Sequence, residues 1–350
     1  MKIFITGNLG YVGSVLTQYL KKSIPDIKII GYDAGFYSHS LTNNDFMPEH
    51  VISAQYFGDI RDIEQSMLQD IDSVIHLAGI SNDPIGKEFE NVTGKINRDA
   101  SIRLVKMAIN EKVKNFVFAS SCSMYGNSNE GSRKENDITN PLTAYARSKI
   151  GVEEDLKNLN LDNLIFTSLR FATACGWSDR LRLDLVLNDF VACAITSGEI
   201  TVLSDGTPWR PLIDVEDMCR AINWAMLRKK NNGGEYLLIN AGKNSNNYQV
   251  KHIANAVAEL VPGTNISINK NAPPDKRSYR VDFSMYEKLA TDFQPSVSLH
   301  ESILRLKNGL LRINFNIKNF RNSSYYMRLS TLKNHIKNNR LNKDLRWKLF

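Results

Sequence analysis

Two side chains in the segment "AYARSK" have the residue types and the spacing needed for proton transfer. Tyr145 and Lys149 are four residues apart, which places them on one face of a helix. A phenol titrates at about pH 10 in water, but a nearby ammonium stabilises the phenolate and lowers that pKa. We therefore expect the pair to exchange a proton with an alcohol near neutral pH while a nicotinamide accepts the hydride.

The segment "SSCSMYG", residues 120–126, offers further reactive groups. It contains three hydroxyls, one thiol and one phenol, and it directly follows the apolar run "NFVFA". Adjacent residues at the end of a strand point in different directions, which predicts that Cys122 packs behind any site that a neighbouring serine faces. Residue types alone leave open which of these groups takes part in chemistry.

The glycines of "TGNLGYVGS" predict a turn that binds a dinucleotide. Gly7, Gly10 and Gly13 permit, in that order, a tight turn, close approach of a pyrophosphate and close packing of the following helix. The helix then presents free N–H groups and its positive dipole end to the phosphates. Asp33 ends the second predicted strand, where a carboxylate binds the ribose 2′-hydroxyl and repels a 2′-phosphate. These features favour NAD over NADP.

The surrounding pattern predicts the fold that positions these groups. Apolar runs such as "KIFITG", "SVIHLAG" and "NFVFASS" alternate with amphipathic stretches such as Tyr11 to Lys22. Repeated β-α-β units predict a Rossmann-type, doubly wound parallel α/β sheet, and the irregular pattern from about Trp177 predicts a smaller mixed α/β lobe. We divide the chain into an NAD-binding domain at 1–175 with returns from about 210–245, a discontinuous substrate lobe at 176–311, and a basic extension at 312–350.

The bulk composition is typical of a globular protein, with 42% hydrophobic and 23% charged residues in a chain of 350. No apolar run has the length of a membrane span, and "MKIFITG" lacks the pattern of a signal peptide. The four cysteines have neither CxxC spacing nor histidines at metal-ligand spacing, which favours reduced thiols over disulfides or a metal site. We therefore expect a cytoplasmic protein without a bound metal.

The positive charge of the chain is concentrated at its C-terminal end. Residues 312–350 contain ten Lys or Arg and one acid, Asp344, so their net charge is +9. The net charge of the whole chain is +7, so residues 1–311 together carry a net charge of −2. The sequence predicts either a solvated, partly helical tail or a surface that contacts a membrane or an anionic partner. Nucleic-acid binding is not expected, because no known module signature accompanies the basic residues.

These motifs together resemble the extended short-chain dehydrogenase/reductases, the NAD-dependent nucleotide-sugar epimerase/dehydratase family. The resemblance covers about residues 1–310 and rests on "TGNLGYVGS", "GDIRD", "HLAG", "SSCSMYG", "YARSK", "LRFATACG" and "WRPLIDVED" in that order. It implies bound NAD, a nucleotide-diphosphate sugar as substrate, and a homodimer formed through a four-helix contact that includes the helix of Tyr145.

The resemblance also implies a role for individual residues. The family's catalytic serine or threonine stands four residues before the tyrosine of "YG", which makes Ser121, Tyr145 and Lys149 the catalytic set. Ser120 is expected mainly to hold the strand end. The implied cofactor-binding residues are Gly7, Gly10, Tyr11, Val12, Gly13, Asp33, Asp59, Ile60, Leu77, Ala78, Gly79, Asn97, Ser120, Tyr145 and Lys149. The implied substrate-binding residues are Ser81, Ser123, Thr173, Asn188, Arg210 and Arg277, with Arg210 as a fork for the diphosphate.

Three features of the predicted substrate residues leave alternatives open. Thr173 stands where the family's epimerases often have Asn, so the phosphate contacts that the resemblance implies at this position stay open. Arg180 and Arg182 either bind a substrate phosphate or carboxylate, or pair with Asp179 and Asp184. Arg277 is either a phosphate ligand or a surface charge.

The residues after Ser121 narrow the reaction that the resemblance implies. The family's 4,6-dehydratases have Asp-Glu at these two positions, whereas this chain has Cys122 and Ser123. A 3,5-epimerase/reductase of the GDP-fucose synthase type has its cysteine at the position of Ser123 and prefers NADPH, which Asp33 disfavours. The expected activity is a nucleotide-sugar 4-epimerase. A C4 dehydrogenase or reductase needs the same groups and stays open, and a non-catalytic NAD-binding regulator is disfavoured because Tyr145 and Lys149 are both present.

Overall fold

Seven parallel strands form the central sheet of the protein. The structure is a computed structural model, and it describes residues 1–42, 45–127, 131–269, 272 and 278–348. From one edge of the sheet to the other, the strands are β11 (Tyr236–Ala241), β7 (Ile165–Phe171), β5 (Asn115–Ser121), β4 (Ser73–His76), β1 (Lys2–Thr6), β2 (Lys28–Asp33) and β3 (Ala54–Phe57).

The order of the strands reverses between β1 and β4. The chain builds β1, β2 and β3 outward in one direction and then crosses back to begin β4 on the other side of β1. Such a reversal opens a crevice at the carboxyl ends of the strands, where ligands bind in doubly wound folds. The glycine turn follows β1 and the segment 77–79 follows β4, so both predicted cofactor segments meet there. The predicted Rossmann-type fold is confirmed.

Helices cover both faces of this sheet because each has one apolar side. Leu16 and Leu20 belong to the core cluster on one face, and Leu104 and Val152 belong to the cluster on the other. The helices on the first face are α1 (Tyr11–Ser23) and α7 (Val215–Leu227), and those on the second are α4 (Ala100–Asn110) and α5 (Ala144–Leu156). Shorter helices are α2 (Asp83–Glu88), α3 (Glu90–Gly94) and α9 (Ser284–Leu289), and a π-helical turn, Lys95–Asp99, leads into α4.

A third core lies outside the sheet. It is enclosed by α6 (Val186–Ser197), α8 (Val250–Leu260) and α10 (Leu299–Arg312). Leu187, Ile253 and Ile303 are fully buried in it. The accompanying strand pairs and ladders are β9 (Glu199–Val202) with β13 (Asn265–Ile268), β10 (Trp209–Asp214) between β8 (Thr173–Cys175) and β12 (Asn247–Gln249), and β6 (Ser132–Arg133) with β14 (Arg280–Val281).

The prediction of a solvated C-terminal tail is wrong. Leu332, Leu341 and Leu345 are buried in the same core cluster as α4 and α5, and residues 328–337 form α11 (Arg328–Lys337). Basic side chains of this extension pair with acids elsewhere on the chain, as Arg321 does with Asp189. The apolar residues of this extension are few and widely spaced in the sequence. Their pattern therefore did not indicate that they pack against the core of α4 and α5.

Within the ranges that the structure describes, no helix is both long enough and apolar enough to cross a bilayer.

Candidate active site

A single cleft of about 770 Å³ brings most of the predicted site residues together. It opens at the carboxyl ends of the central strands, where β1, β4 and β5 end. The predicted residues that line it are Gly7, Gly10, Tyr11, Val12, Gly13, Asp33, Ile60, Leu77, Ala78, Gly79, Ser81, Ser120, Ser121, Ser123, Tyr145, Lys149, Thr173 and Arg210. Arg277 lies outside the described residues.

The glycine turn has the shape of a phosphate cradle. Gly7 has a φ of +77°, and a Cβ added there would lie 2.6 Å from the backbone nitrogen of Ala78. A Cβ on Gly13 would lie 2.4 Å from the Cα of Asn8, so only glycine allows the helix to approach the turn this closely. Gly10 is the N-cap of α1, and no side chain caps that N-terminus. The turn therefore fits a pyrophosphate held by backbone N–H groups.

The carboxylate of Asp33 is held at the end of β2, facing this turn. Its two oxygens accept hydrogen bonds from the backbone N–H of Leu9 at 3.0 Å and of Gly35 at 2.7 Å. Burial raises the pKa of Asp33, and these two hydrogen bonds oppose the rise. Each oxygen keeps a lone pair for a ribose hydroxyl, which agrees with an adenosine ribose at this position and completes the fit for a dinucleotide.

The three predicted catalytic side chains form the floor of the cleft. Ser121 ends β5, and Tyr145 and Lys149 lie one turn apart on α5, whose N-terminus is capped by the Thr143 hydroxyl. The Ser121 hydroxyl hydrogen-bonds to the phenol of Tyr145 and also lies 3.0 Å from the Ser123 hydroxyl. A substrate hydroxyl placed here would meet two groups able to pass its proton.

The electrostatics of the floor correct one expectation. Burial raises the pKa of Tyr145 to about 12, although the hydrogen bond from Ser121 lowers it, and burial lowers the pKa of Lys149 to about 8. The ammonium lies 5.9 Å from the centre of the Tyr145 ring and 4.5 Å from that of Phe118. The pKa of the phenol is therefore raised by burial, in the direction opposite to the depression expected from Lys149.

A buried ion pair supports the floor from below. Glu153 accepts hydrogen bonds from Ser120 at 2.8 Å, Ser168 at 2.6 Å and Arg170 at 2.7 Å. The hydroxyl of Ser120 is thus turned towards this network, although its residue borders the cleft. Cys122 is fully buried with its thiol 3.0 Å from the Arg170 carbonyl, and burial raises its pKa well above the usual value.

The arginines of the substrate segment are paired with acids. Arg182 forms a two-point ion pair with Asp184, at 2.9 and 3.1 Å, while also lining the cleft. Arg180 is fully buried and pairs with Glu49 at 2.5 Å rather than with Asp179. The predicted pairing of Arg182 with Asp184 is therefore present. Arg180 instead pairs with Glu49, which is far away in the sequence, so the local spacing of charges did not indicate it.

Three predicted site residues, Asn97, Asn188 and Asp59, are not among those that line the cleft. Asn97 is fully buried and bonds to both backbone groups of Ile80, at 2.7 and 2.9 Å. Asn188 is fully buried and holds the segment after β8 through Gly176. Asp59 binds the side chain and backbone of Arg61. These residues position the loops that border the cleft.

Other cleft residues were not identified from the sequence. Asp83 acts electrostatically on Tyr145 and accepts a hydrogen bond from Thr143 at 2.7 Å. Tyr279 lines the cleft and hydrogen-bonds to Thr173, near Arg210. Neither belongs to a local motif, so no signal in the sequence pointed to it.

Comparison with known proteins agrees with this site. A family model described as "NAD dependent epimerase/dehydratase family" matches residues 3–242. The chain belongs to this family. It is therefore an NAD-dependent enzyme of the extended short-chain dehydrogenase/reductase type that acts on nucleotide sugars.

Individual relatives are more distant. A UDP-glucose 4-epimerase of Corynebacterium glutamicum is 25% identical over 275 residues, which are 74% of this chain and 80% of that protein. A dTDP-D-glucose 4,6-dehydratase of Dictyostelium discoideum is 27% identical over 67% of this chain and 57% of its own. The solved UDP-glucuronic acid 4-epimerase of Bacillus cereus, in complex with UDP-glucuronic acid and NAD, has a TM-score of 0.76 at 24% identity, covering 89% of this chain and 100% of that one. This last likeness supports the fold.

Proposed function

We propose that this member of the family is a nucleotide-sugar 4-epimerase that works by transient oxidation at C4. The observation that carries the proposal is the floor of the cleft, where Ser121, Tyr145 and Lys149 come together and the two positions after Ser121 are not acids. A UDP-glucose 4-epimerase among the relatives supports the same reaction class.

The side chains of the floor can move one proton in each direction. NAD, held by the residues around Gly7 and Asp33, would supply hydride acceptance and hydride donation at C4. Tyr145 accepts the C4 proton in its ionised form, directly or through the hydroxyl of Ser121, which hydrogen-bonds to it and lowers its pKa. Lys149 is protonated below about pH 8, and its positive charge on the same face of α5 favours the ionised form of Tyr145 over the neutral one. Re-reduction reverses these proton steps.

The groups beside Ser121 oppose a 4,6-dehydration. That reaction needs acid and base groups to remove the C5 proton and to expel the C6 hydroxyl. Cys122 faces the core, where its thiol stays protonated, and the hydroxyl of Ser123 lies 3.0 Å from that of Ser121. Asp184 lines the cleft but is held by Arg182. The residues at hand suit oxidation and reduction at one carbon.

The substrate diphosphate would serve as the anchor about which the keto sugar turns. Arg210 lines the cleft from β10, and its planar guanidinium suits a diphosphate. A sugar held only through this end can present either face of C4 to the floor. This arrangement allows the hydride to return to the opposite face.

The deciding experiment follows hydrogen isotopes during turnover. UDP-, GDP-, dTDP- and CDP-hexoses carrying deuterium at C4 are incubated with the NAD-loaded protein and examined by NMR. An epimerase inverts C4 and keeps the label, and in D₂O it introduces no solvent deuterium at C5. Tyr145→Phe provides the control for background conversion. Release of a keto sugar would identify the C4 dehydrogenase/reductase instead, and exchange at C5 would contradict the proposal.

A further inference from the structure

The extension, residues 312–350, fastens the loop that follows β2. Tyr325, His335 and Trp347 each hydrogen-bond to a backbone carbonyl within residues 34–41. That loop begins directly after Asp33, the predicted ribose ligand. The extension therefore forms an outer wall at the cofactor end of the cleft.

Arg328, the first residue of α11, reaches the cleft from this wall. The residue lines the cavity although it is only 2% exposed. Its Nη2 donates to the Arg180 carbonyl at 2.9 Å, and its Cζ lies 4.4 Å from the centre of the Tyr37 ring. Nη1 is buried and meets no hydrogen-bond acceptor in the described part of the chain. A guanidinium offers five N–H donors in one plane, so these contacts leave donor capacity unused.

The charges around Arg328 do not neutralise it. Arg182 is paired with Asp184 and Arg180 is paired with Glu49, so each of these carboxylates already has a guanidinium partner. Burial lowers the pKa of Arg328 to about 10, and the charge of Arg182 acts in the same direction. The group is still protonated at neutral pH. A buried charge is costly without a partner of opposite sign. The charge of Asp184 acts favourably on Arg328, but among the described residues no carboxylate forms an ion pair with it.

The guanidinium of Arg328, with its unpartnered Nη1, suits an oxyanion. A planar guanidinium fork binds phosphoryl and carboxylate oxygens with two-point geometry, and its fixed charge serves binding rather than proton transfer. Arg328 shares the cleft with the glycine turn around Gly10, which the NAD pyrophosphate occupies in this family, and with Arg210, the proposed diphosphate ligand. Phosphates are therefore the anions that this cleft must accept.

We propose that Arg328 is an anion-binding residue of the cleft whose guanidinium contacts a phosphoryl oxygen of the bound dinucleotide or of the nucleotide sugar. It lies beyond residue 242, where the family match ends, so the contact comes from a segment that the family model does not include. Contact with the nucleotide sugar rests on the proposed function. Contact with the dinucleotide does not, because NAD binding is independent of which reaction the enzyme catalyses.

The test measures binding of two ligands to three variants of the full chain. NADH binding is measured by fluorescence titration of dinucleotide-free protein, and UDP, GDP, dTDP and CDP binding by calorimetry of NAD-loaded protein. For Arg328→Met we expect about ten- to a hundred-fold weaker binding of one ligand class, as for a lost charge-assisted hydrogen bond, which identifies the source of the phosphate. Arg328→Lys, which keeps the charge without the fork, should lie between. Arg340→Met alters an exposed arginine of the same extension and should bind both ligands as wild type does.

Each outcome decides the proposal. Wild-type affinities within twofold for both ligand classes would overturn it, and so would equal losses for both ligands together with a lowered melting temperature, since those indicate a structural role. If Arg328→Met does not fold, the same criteria are applied to Arg328→Lys. If none of the four nucleotides binds to wild type, the NADH titration decides. These measurements use no turnover, so failure of the proposed epimerase reaction is seen separately in the NMR experiment.

Discussion

Two buried cations line the same cleft in different surroundings. Lys149 lies in the floor, 4.5 Å above the ring of Phe118, and Arg328 lies in the outer wall, 4.4 Å from the ring of Tyr37. Both are almost fully buried, and burial lowers the pKa of the lysine to about 8 and that of the arginine to about 10. The molecule thus places two positive charges in one cleft, each against an aromatic ring.

The chemical difference between these cations suits them to different tasks. A lysine whose pKa lies close to neutrality can change its protonation state during a reaction, whereas an arginine stays charged. Glu153 lies one turn below Lys149 on α5 and raises the pKa of the ammonium, opposing part of the effect of burial. The floor is therefore suited to proton chemistry and the wall to holding an anion.

The first and largest expected effect tests whether the floor depends on the extension. A chain that ends at Asn314 lacks Leu332, Leu341 and Leu345, which are buried in the core that also packs α5. Each buried leucine contributes about 1.5–3 kcal/mol, so the loss is comparable to the whole stability of a domain. We expect no cooperative thermal unfolding and no activity, as seen by calorimetry and the NMR assay.

A point variant of the full chain tests the same packing without removing the extension. Leu332→Ala should lower the free energy of unfolding by about 2–5 kcal/mol, measured by urea titration. Leu304→Ala is the matched control, because Leu304 is 40% exposed on α10 and should cost far less. A truncated chain that folds and turns over normally would restore the prediction of a solvated tail.

The second effect separates the floor from the wall by its kinetics. Tyr145→Phe removes the hydroxyl that exchanges the C4 proton, and we expect kcat to fall about 10³-fold, within the range for a general acid–base group. NADH affinity should stay within threefold of wild type, in contrast to the loss that one ligand class should show with Arg328→Met. Stopped-flow turnover and NADH titration check both values. Retained turnover would move the proton-transfer role to another group.

The sequence predicted the parts of the site that lie in local motifs. The glycine turn, Asp33, Ser121 and the pair on α5 were found because each motif's spacing reflects one turn or one strand end. Tyr37, Asp83 and Arg328 were not found, because the first two belong to no local motif and the third approaches the cleft only after the chain has returned across the molecule. The direction of the pKa shift of Tyr145 was also wrong, since it depends on burial, which spacing does not show.

The third expected effect is the loss of folding stability caused by burying the Lys149 ammonium in the floor. The folded-state pKa of Lys149, about 8, lies below its unfolded value of about 10.4, so the unfolded chain binds this proton more tightly. The resulting destabilisation is complete below about pH 8 and disappears as the pH rises towards the unfolded pKa. Lys149→Met should therefore be more stable than wild type at pH 7, by roughly 1–3 kcal/mol, and the difference should shrink between pH 8 and pH 10.

Urea unfolding at several pH values checks this dependence. Lys106→Met is the matched control, since Lys106 is exposed on α4 and should show no change of stability difference with pH. A stability difference for Lys149→Met that is constant from pH 7 to pH 10 would mean that the ammonium is better solvated than its burial indicates. Lys149 in the floor would then be solvated like a surface lysine, in contrast to Arg328 in the wall.

The smallest expected effect is that of replacing Cys122, whose neighbour in the sequence, Ser121, belongs to the floor. Ser121 faces the cleft and hydrogen-bonds to Tyr145, whereas the thiol of Cys122 faces the core beside the Arg170 carbonyl. Cys122→Ala should leave kcat within twofold of wild type and cost about 1 kcal/mol of stability, while Ser121→Ala should lower kcat about 10²-fold. The native thiol should also resist alkylation, because a buried, protonated thiol is a poor nucleophile. A tenfold loss of kcat in Cys122→Ala would bring the thiol into the chemistry and would reopen the reactions that its position now opposes.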